Sequence, residues 1–189
     1  LHGRHSGLGG TDSDFFDSHA GLRDGKGSLY EGGIRVPCVV RWKGKIAPGA
    51  TSARVTGFED SMPTLLDLVG AGGRAPASID GLSFAPTLLG EAQPERPFLY
   101  REFPGYDGQQ CVRVGDWKAV RRDLLPRRKA APNPVIRTQL YDLGADRAET
   151  TDVAASHPDR VAEMERIMLG QHAPSADFPF PILDRAARR

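Results

Sequence analysis

The stretch at residues 21–37, GLRDGKGSLYEGGIRVP, combines closely spaced glycines with charges of both signs. Glycine permits a positive φ and lets the backbone approach other groups closely. A loop of this composition can direct the Lys26 ammonium and its own amides toward an anion. The apolar, β-branched run that follows at 36–42 predicts a buried strand. Such a junction is a common position for a site on an α/β scaffold, although a surface loop with a solvated lysine has the same composition.

Segment 26–37, KGSLYEGGIRVP, resembles the lysine-bearing signature of sulfatases in the alkaline phosphatase superfamily. Five further segments resemble the same family in the same order: RWKGKI at 41–46, DSMPTLLDL at 60–68, DGLS at 80–83, VRVGDWK at 112–118 and LYDL at 140–143. A lone LYDL is weakly specific, whereas the ordered set covers nearly the whole chain. The resemblance implies a sulfuric ester hydrolase of the arylsulfatase type, acting on an aryl sulfate or a sulfated carbohydrate. It also implies that Lys26 is catalytic and contacts the substrate sulfate.

The resemblance implies an α/β fold with two parts. Residues 1–93 are expected to form the C-terminal end of a large mixed-sheet catalytic domain, and residues 94–189 a small subdomain. In the subdomain, residue patterns predict an antiparallel sheet, a packed helix and an extended tail from residue 173. The predicted strands are 98–103, 110–121 with a hairpin turn at Gly115-Asp116, and 138–143. The predicted helices are 60–69, a core helix with Asp60 as its N-cap, and one near 158–170 with Pro158 in its first turn.

Five more residues are candidates for the site. Glu31 and Arg35 carry opposite charges close in sequence, and we expect them to fix the loop that holds Lys26. By resemblance, His5 approaches the sulfate or its leaving group, and Glu102, with Tyr106 nearby, lines the substrate pocket. Ordinary surface positions remain the alternative for Glu102 and Tyr106.

Several parts of the family's catalytic centre are missing. The family carries a C-x-P-S-R or S-x-P-S-R motif whose Cys or Ser becomes formylglycine, and neither Cys38 nor Cys111 matches it. The paired aspartates that bind a divalent metal, calcium or magnesium, are absent as well. If His5 is aligned with the family's histidine, Leu1 and His2 replace a further Asp-Asn ligand pair. We therefore expect no metal ligands in this chain, and expect the missing N-terminal part of the same enzyme to supply the nucleophile and the metal.

Two other functions stay open. One is a phosphodiester or phosphonate hydrolase of the same superfamily, and the other is a catalytically inactive fragment that binds sulfated ligands. An upstream nucleophile that is a Cys within C-x-P-S-R, rather than Thr or Ser alone, would distinguish a sulfatase from the phosphodiester or phosphonate hydrolase. A net charge of +1 gives no electrostatic case for nucleic acid or an anionic membrane surface. No apolar run approaches the ~20 residues of a membrane span. The compartment stays unknown, with a periplasmic or secreted location favoured by the resemblance.

The 189-residue chain on its own is expected to show no measurable arylsulfate hydrolysis and no tight calcium or magnesium binding. Catalytic parts that act as a unit do not leave a proportional share of the rate when some are removed. Apolar surface exposed around residues 36–40 should also favour aggregation. A chromogenic aryl sulfate assay and a calcium titration test this. Turnover well above background, or micromolar calcium binding, would mean that a complete site lies within this sequence.

Overall fold

A computed structural model describes residues 15–125 and 136–186. These residues form two compact units. One unit is Pro37–Leu99, and the other joins the described residues up to Val36 to those from Tyr100 onward. The residues that carry Lys26 thus group with the C-terminal sheet rather than with the segment that follows them. The assignment of residues 1–93 to a catalytic domain stays a prediction.

The larger unit is built on a four-stranded sheet. Its strands are β1 (Leu99–Phe103), β2 (Gln109–Val114), β3 (Trp117–Arg121) and β4 (Thr138–Asp142), in the spatial order β1-β2-β3-β4. Both the β2–β3 and β3–β4 pairs are antiparallel, and Val114 lies opposite Trp117. The two residues between them form the tight turn, in which Gly115 has a φ of +57°. The predicted strands and hairpin are confirmed.

Helix α4 (Pro158–Gln171) packs against the sheet. Pro158 occupies its first turn, where the missing N–H costs little. Met164 and Met168 are fully buried, as the apolar stripe predicted. A core cluster on the opposite face of the sheet receives residues from the glycine-rich loop; it consists of Leu29, Tyr30, Cys111, Val120, Tyr141 and Leu143. Burial raises the pKa of the Cys111 thiol to about 11, so this cysteine stays protonated as a core residue.

The prediction of an extended tail from residue 173 is wrong for residues 181–186, which form a helix. Helix α5 spans Pro181–Ala186, and Phe180 and Leu183 are buried against Leu124. The apolar residues of this proline-rich segment account for the difference, because burying them stabilises the docked helix. Proline in the first turn is also compatible with a helix start.

His172 fastens this C-terminal segment to the sheet. Its imidazole is buried where α4 ends, with Nδ1 2.7 Å from Glu102 Oε1 of β1 and Nε2 2.9 Å from Asp184 Oδ1 of α5. Glu102 also accepts a hydrogen bond from the hydroxyl of Tyr100, whose pKa is raised well above its ordinary value, chiefly by burial. Tyr100 therefore stays neutral, and the two carboxylates are the charges that face the imidazole.

The larger unit also contains α1, a single helical turn at Glu31–Ile34. The smaller unit contains the next two helices, α2 (Ser61–Leu68) and α3 (Ala85–Leu88). Asp60 does not cap α2 as predicted. Its carboxylate instead accepts hydrogen bonds from the amides of Gly57 and Leu82, each at 2.7 Å, and pairs with Arg96 Nη2 at 2.5 Å. These charge-assisted hydrogen bonds satisfy the buried carboxylate without the amides of α2.

The predicted buried strand at 36–42 is also wrong. The segment has no regular structure, and Val36 and Val39 are 76% and 92% exposed. A strand needs a neighbour for its backbone groups and a cover for its side chains, and the described residues offer neither here. The exposed apolar surface expected around 36–40 is observed. The stripe of α2, predicted to face a core, is likewise exposed at Met62, Leu65 and Val69. No helix in the described residues is long and apolar enough to cross a membrane.

The His172 contact predicts a pH-dependent stability. Burial by itself lowers the pKa of His172, but the hydrogen bonds to Glu102 and Asp184 outweigh it and raise the pKa above 6.5. A group whose pKa is raised in the folded state stabilises it fully below the unfolded pKa, and this contribution is lost as the pH rises through the folded pKa. We therefore expect the free energy of unfolding of this unit to fall as the pH rises from about 6.5.

Urea unfolding at a series of pH values measures this dependence. His172→Gln should remove the His172 part of the slope, because the glutamine amide can donate hydrogen bonds but is not protonated in this range. His157→Gln is the matched control, since His157 is exposed and contacts the ring of Trp117. An unchanged slope in His172→Gln would show that the imidazole is not the titrating group.

Candidate functional site

The loop at 21–34 depends on its glycines. A Cβ at Gly32 would lie 2.3 Å from the Asp24 carbonyl oxygen, and a Cβ at Gly33 2.1 Å from that of Ser28. Only glycine permits this approach of backbone to backbone. The Gly32 amide donates to the Arg23 carbonyl at 2.9 Å, which closes the loop onto α1. The consecutive glycines of the EGG segment therefore serve close packing.

A buried ion cluster anchors this loop to the sheet. Lys118 Nζ of β3 lies 2.8 Å from Glu31 Oε1 and 3.0 Å from Glu149 Oε1. The Glu31 amide donates to Glu149 Oε2 at 2.6 Å. All three side chains are at most 4% exposed. Burial raises the pKa of Glu149, although Lys118 and the Glu31 amide oppose this shift. Charges so far from water are stable only when they are paired, so the three residues depend on one another.

Arg23 makes a second link between the loop and the sheet. Its Nη1 donates to the Glu149 carbonyl oxygen at 2.6 Å and to the Tyr141 hydroxyl at 3.0 Å. Its guanidinium lies over the ring of Tyr30, 3.9 Å from the ring centroid. Planar cations stack well on aromatic faces, and this one also satisfies a buried carbonyl. Arg23 at the start of the loop and Glu31 near its end are thereby anchored to the same core.

Lys26 lies between these anchors, and its side chain is exposed. The next residue, Gly27, has a φ of +90°, and a Cβ there would lie 2.1 Å from the Tyr106 ring. The buried amide of Gln109 holds the following backbone: Nε2 donates to the Gly27 carbonyl at 2.8 Å, and Oε1 accepts from the Leu29 amide at 3.0 Å. The turn is therefore fixed in place while the ammonium itself remains in solvent, where it can meet an anion.

The expected contact between Glu31 and Arg35 is present. Arg35 Nη1 lies 3.5 Å from Glu31 Oε2, and Arg113 Nη1 of β2 lies 3.6 Å from the same oxygen. Glu31 thus faces three cations, of which Lys118 is the closest and most buried. The role of the pair in supporting Lys26 stays a prediction.

The other two predicted site residues are placed differently. The Glu102 carboxylate is engaged by His172 and by the Tyr100 hydroxyl, within the contact that holds α5. Its assignment to the substrate pocket stays a prediction. His5, together with Leu1 and His2, lies outside the described residues. The structure brings Glu31 and Arg35 into contact on the segment that also carries Lys26.

The described residues contain no group of three His, Cys, Asp or Glu side chains that could hold a metal ion. The divalent metal that the resemblance implies therefore has no ligand set in residues 15–125 and 136–186. We assign no step of the chemistry below to a metal held by these residues.

Sequence reasoning did not find Lys118 or Glu149 as members of this site. The sequence does contain a sign that Lys118 is special. It lies within an apolar strand, at a position that is buried, and a buried lysine must be paired. Glu149 carries no signal, since a glutamate in a turn is ordinarily solvated. Its backbone has a φ of +54°, a conformation visible only in the folded chain.

The sequence of this chain is similar to the sequences of sulfatases. The chain is 39% identical to mouse steryl-sulfatase over 121 residues, which cover 63% of the chain and 19% of that protein. It is 30% identical to the N-acetylgalactosamine-6-O-sulfatase of Bacteroides thetaiotaomicron over 152 residues, 77% of the chain and 29% of that protein.

Among solved structures, the chain is similar to a Bacteroides thetaiotaomicron protein from work on the metabolism of multiple glycosaminoglycans. The TM-score is 0.65 at 26% identity, over 85% of this chain and 35% of that one. The chain thus spans between about a fifth and a third of the length of these proteins. The expected fold, the C-terminal end of a sulfatase domain with a small sheet subdomain, is confirmed.

Residues 20–169 match the family described as N-sulphoglucosamine sulphohydrolase, C-terminal, and the chain belongs to this family. The match begins one residue before the glycine-rich loop and ends within α4. It therefore includes Lys26 and every member of the ion cluster.

The ion cluster predicts a large stability loss on removal of its cation. Lys118→Met leaves two buried carboxylates without their partner, which should cost about 3–5 kcal/mol. Arg113→Met is the matched control, because Arg113 is more exposed and its contact with Glu31 is longer, and it should cost about 1 kcal/mol or less. Urea unfolding in a Trp42→Phe background measures both, since Trp117, the neighbour of Lys118, is then the remaining tryptophan.

Adding Glu149→Gln to Lys118→Met tests whether the two charges are coupled. The double variant should lose less stability than the sum of the single losses, because it leaves one buried carboxylate rather than two. Strict additivity would mean that Lys118 and Glu149 do not stabilise each other.

Proposed function

We propose that this chain holds the sulfate group of a sulfate ester through Lys26, as part of a sulfatase. The observation that carries the proposal is the exposed ammonium on a turn that buried contacts fix on both sides. A site that must meet an anion needs a cation that is positioned in advance and still accessible. Membership of a sulfatase family supports the same assignment.

Cleavage of a sulfate ester requires a positive charge close to the sulfate group. Cleavage of a sulfate ester builds negative charge on the sulfate oxygens and on the leaving oxygen. A lysine ammonium is a compact charge with three donors, which suits a tetrahedral oxyanion approached from different directions. Electrostatic stabilisation is strongest when the donor does not have to reorganise during the reaction. The anchoring of Arg23, Glu31 and Gln109 supplies this fixed position.

The remaining parts of the reaction belong to the proposal as well. A formylglycine nucleophile and a divalent calcium or magnesium ion, both supplied from outside these residues, would complete the site; when bound, the metal adds positive charge at the sulfate. Lys26 would orient the sulfate and neutralise one of its oxygens. Glu31 and Arg35 act through the loop and do not touch the substrate.

A sulfated carbohydrate is the substrate class that we propose. One relative is named as a sulfatase of N-acetylgalactosamine 6-O-sulfate groups, and one similar structure comes from glycosaminoglycan metabolism. The name of the mouse relative indicates a sulfated steroid instead. The fixed loop recognises the sulfate that these molecules share.

Lys26→Ala, made in the complete protein that contains these residues, should lower kcat by about 10²–10³, the usual loss for one oxyanion partner. Lys26→Arg keeps the positive charge and should retain part of the rate. Lys43→Ala is the matched control, because Lys43 is also exposed but lies in the smaller unit. Steady-state hydrolysis of an aryl sulfate and of a 6-sulfated N-acetylgalactosamine measures the effect.

The same assay should include a phosphodiester and a phosphonate ester as substrates. Sulfate esters should be cleaved with the higher kcat/KM. A preference for the phosphorus substrates would overturn the sulfatase assignment, and an unchanged rate in Lys26→Ala would overturn the role of the lysine.

A further inference from the structure

Helix α5 is too short to be stable by itself. It has six residues, and isolated helices of this length are not stable in water. Its place on the larger unit depends on two kinds of contact. Phe180 and Leu183 are buried against Leu124, and the Asp184 carboxylate meets the imidazole of His172. A change that weakens either contact therefore releases the whole helix and not one side chain alone.

Phe180 connects α5 to the loop between β1 and β2. Its ring lies against the backbone of Gly108, where a Cβ would come within 2.9 Å of the ring. Leu124, which packs with Phe180, donates its amide to the Gly108 carbonyl at 3.2 Å. The Leu125 amide donates to the Asp107 carbonyl at 2.7 Å. The backbone at 107–108 is therefore held by α5 and by residues that pack with it.

The residue after Gly108 is Gln109, whose buried side chain holds the turn that carries Lys26. Its Nε2 donates to the Gly27 carbonyl, and its Oε1 accepts from the Leu29 amide. Direct contacts thus run without a gap from α5 through Gly108 and Gln109 to this turn. Coupling between distant parts of a protein is carried by such contiguous contacts, so a displacement at Gly108 also displaces the side chain that fixes the turn.

The geometry at His172 suits a protonated imidazole. Nδ1 lies 2.7 Å from Glu102 Oε1 of β1, and Nε2 lies 2.9 Å from Asp184 Oδ1 of α5. Only the imidazolium has an N–H on both nitrogens, whereas a neutral ring turns a lone pair toward one of the carboxylates. In the described part of the chain, these two carboxylates are the charges that face the ring, and the Tyr100 hydroxyl beside Glu102 is neutral. The attachment of α5 is therefore strongest while His172 is protonated.

We propose that His172 and Phe180 are positioning residues, which fix the Lys26 turn by holding α5 against the loop before Gln109. The proposal rests on the function assigned to Lys26. Stabilisation of a developing charge requires a donor that is fixed before the reaction. A displacement of about 1 Å, caused by a change far from the chemistry, can cost about 10²-fold in rate. Release of α5 should therefore slow the cleavage of a sulfate ester.

The first test is a double-mutant cycle in the complete protein that contains these residues. Phe180→Ala removes the side chain that reaches Gly108, and it should lower kcat for an aryl sulfate about 10-fold. In a Lys26→Ala background the same change should have little further effect, because no ammonium remains to be positioned. Losses that multiply in the double variant would show that α5 does not act through Lys26, and they would overturn the proposal.

Phe178→Ala is the matched control and should leave kcat unchanged, since Phe178 is an exposed phenylalanine just before α5. Phe180→Leu keeps an apolar side chain in the core and should retain most of the rate. If thermal unfolding shows that Phe180→Ala is not folded, His172→Gln takes its place in the cycle.

The pH dependence tests the part played by His172. Burial lowers the pKa of His172, but its two carboxylates outweigh this effect and raise the pKa above 6.5. The contribution of the imidazolium is therefore complete below about pH 6.5 and is lost as the pH rises through the folded pKa. The ratio of kcat in wild type to kcat in His172→Gln should fall over this range. A ratio that does not change with pH would overturn the role of the imidazole.

Amide hydrogen exchange separates this inference from the proposed function, because it needs no substrate. The peptide at 25–34 should exchange at least about 3-fold faster in Phe180→Ala than in Phe178→Ala, since the turn opens more often. A peptide from α2 in the smaller unit should exchange equally in both variants.

If Lys26→Ala cleaves sulfate esters as fast as wild type, the proposed function fails, while faster exchange at 25–34 still supports the positioning of the turn by α5. Equal exchange at 25–34 in the two variants would overturn the inference whatever the activity. Faster exchange of both peptides would be a general loss of stability, and it would also overturn the inference.

Discussion

The contact between Lys118 and its two glutamates is the constraint on which the candidate site depends. A lysine withdrawn from water must be neutralised by its surroundings, and here the two carboxylates come from the glycine-rich loop and from the turn after β4. Neither carboxylate is stable in the core without the lysine. If the loop left the sheet, Glu31 would leave with it, and Lys118 and Glu149 would lose one of their partners. The position of the exposed residue Lys26 thus depends on three residues that are buried.

Local patterns in the sequence were sufficient for much of the fold. Alternation and the Gly-Asp turn predicted β2 and β3, and the methionine stripe behind Pro158 predicted α4, because these elements depend on neighbours in sequence. The pairing of Glu31 with Arg35 also follows from their spacing of four residues. Long-range partners were beyond such reasoning. The residues next to Glu149 in sequence do not indicate that it is buried. Those next to His172 do not identify Glu102 and Asp184 as its partners.

The errors of prediction have a common physical origin. The segment at 36–42 and the stripe of α2 are apolar enough for a core, yet they are exposed, because composition reports what a segment can bury and not what is present to cover it. The docked helix α5 is the opposite case, in which a proline-rich tail found a cover for Phe180 and Leu183. Asp60 was predicted to cap α2 but instead forms an ion pair with Arg96, 36 residues away in sequence.

The hydrogen bond from the Glu31 amide to Glu149 joins residues 118 positions apart. During synthesis at about 5–20 residues per second, the loop therefore leaves the ribosome roughly 6–24 seconds before its partner exists. The whole of the smaller unit is made within that interval, between the two parts of the larger unit. The order of synthesis thus leaves the Lys26 turn without this anchor until residue 149 has been made, although the turn itself is translated before every strand of the sheet.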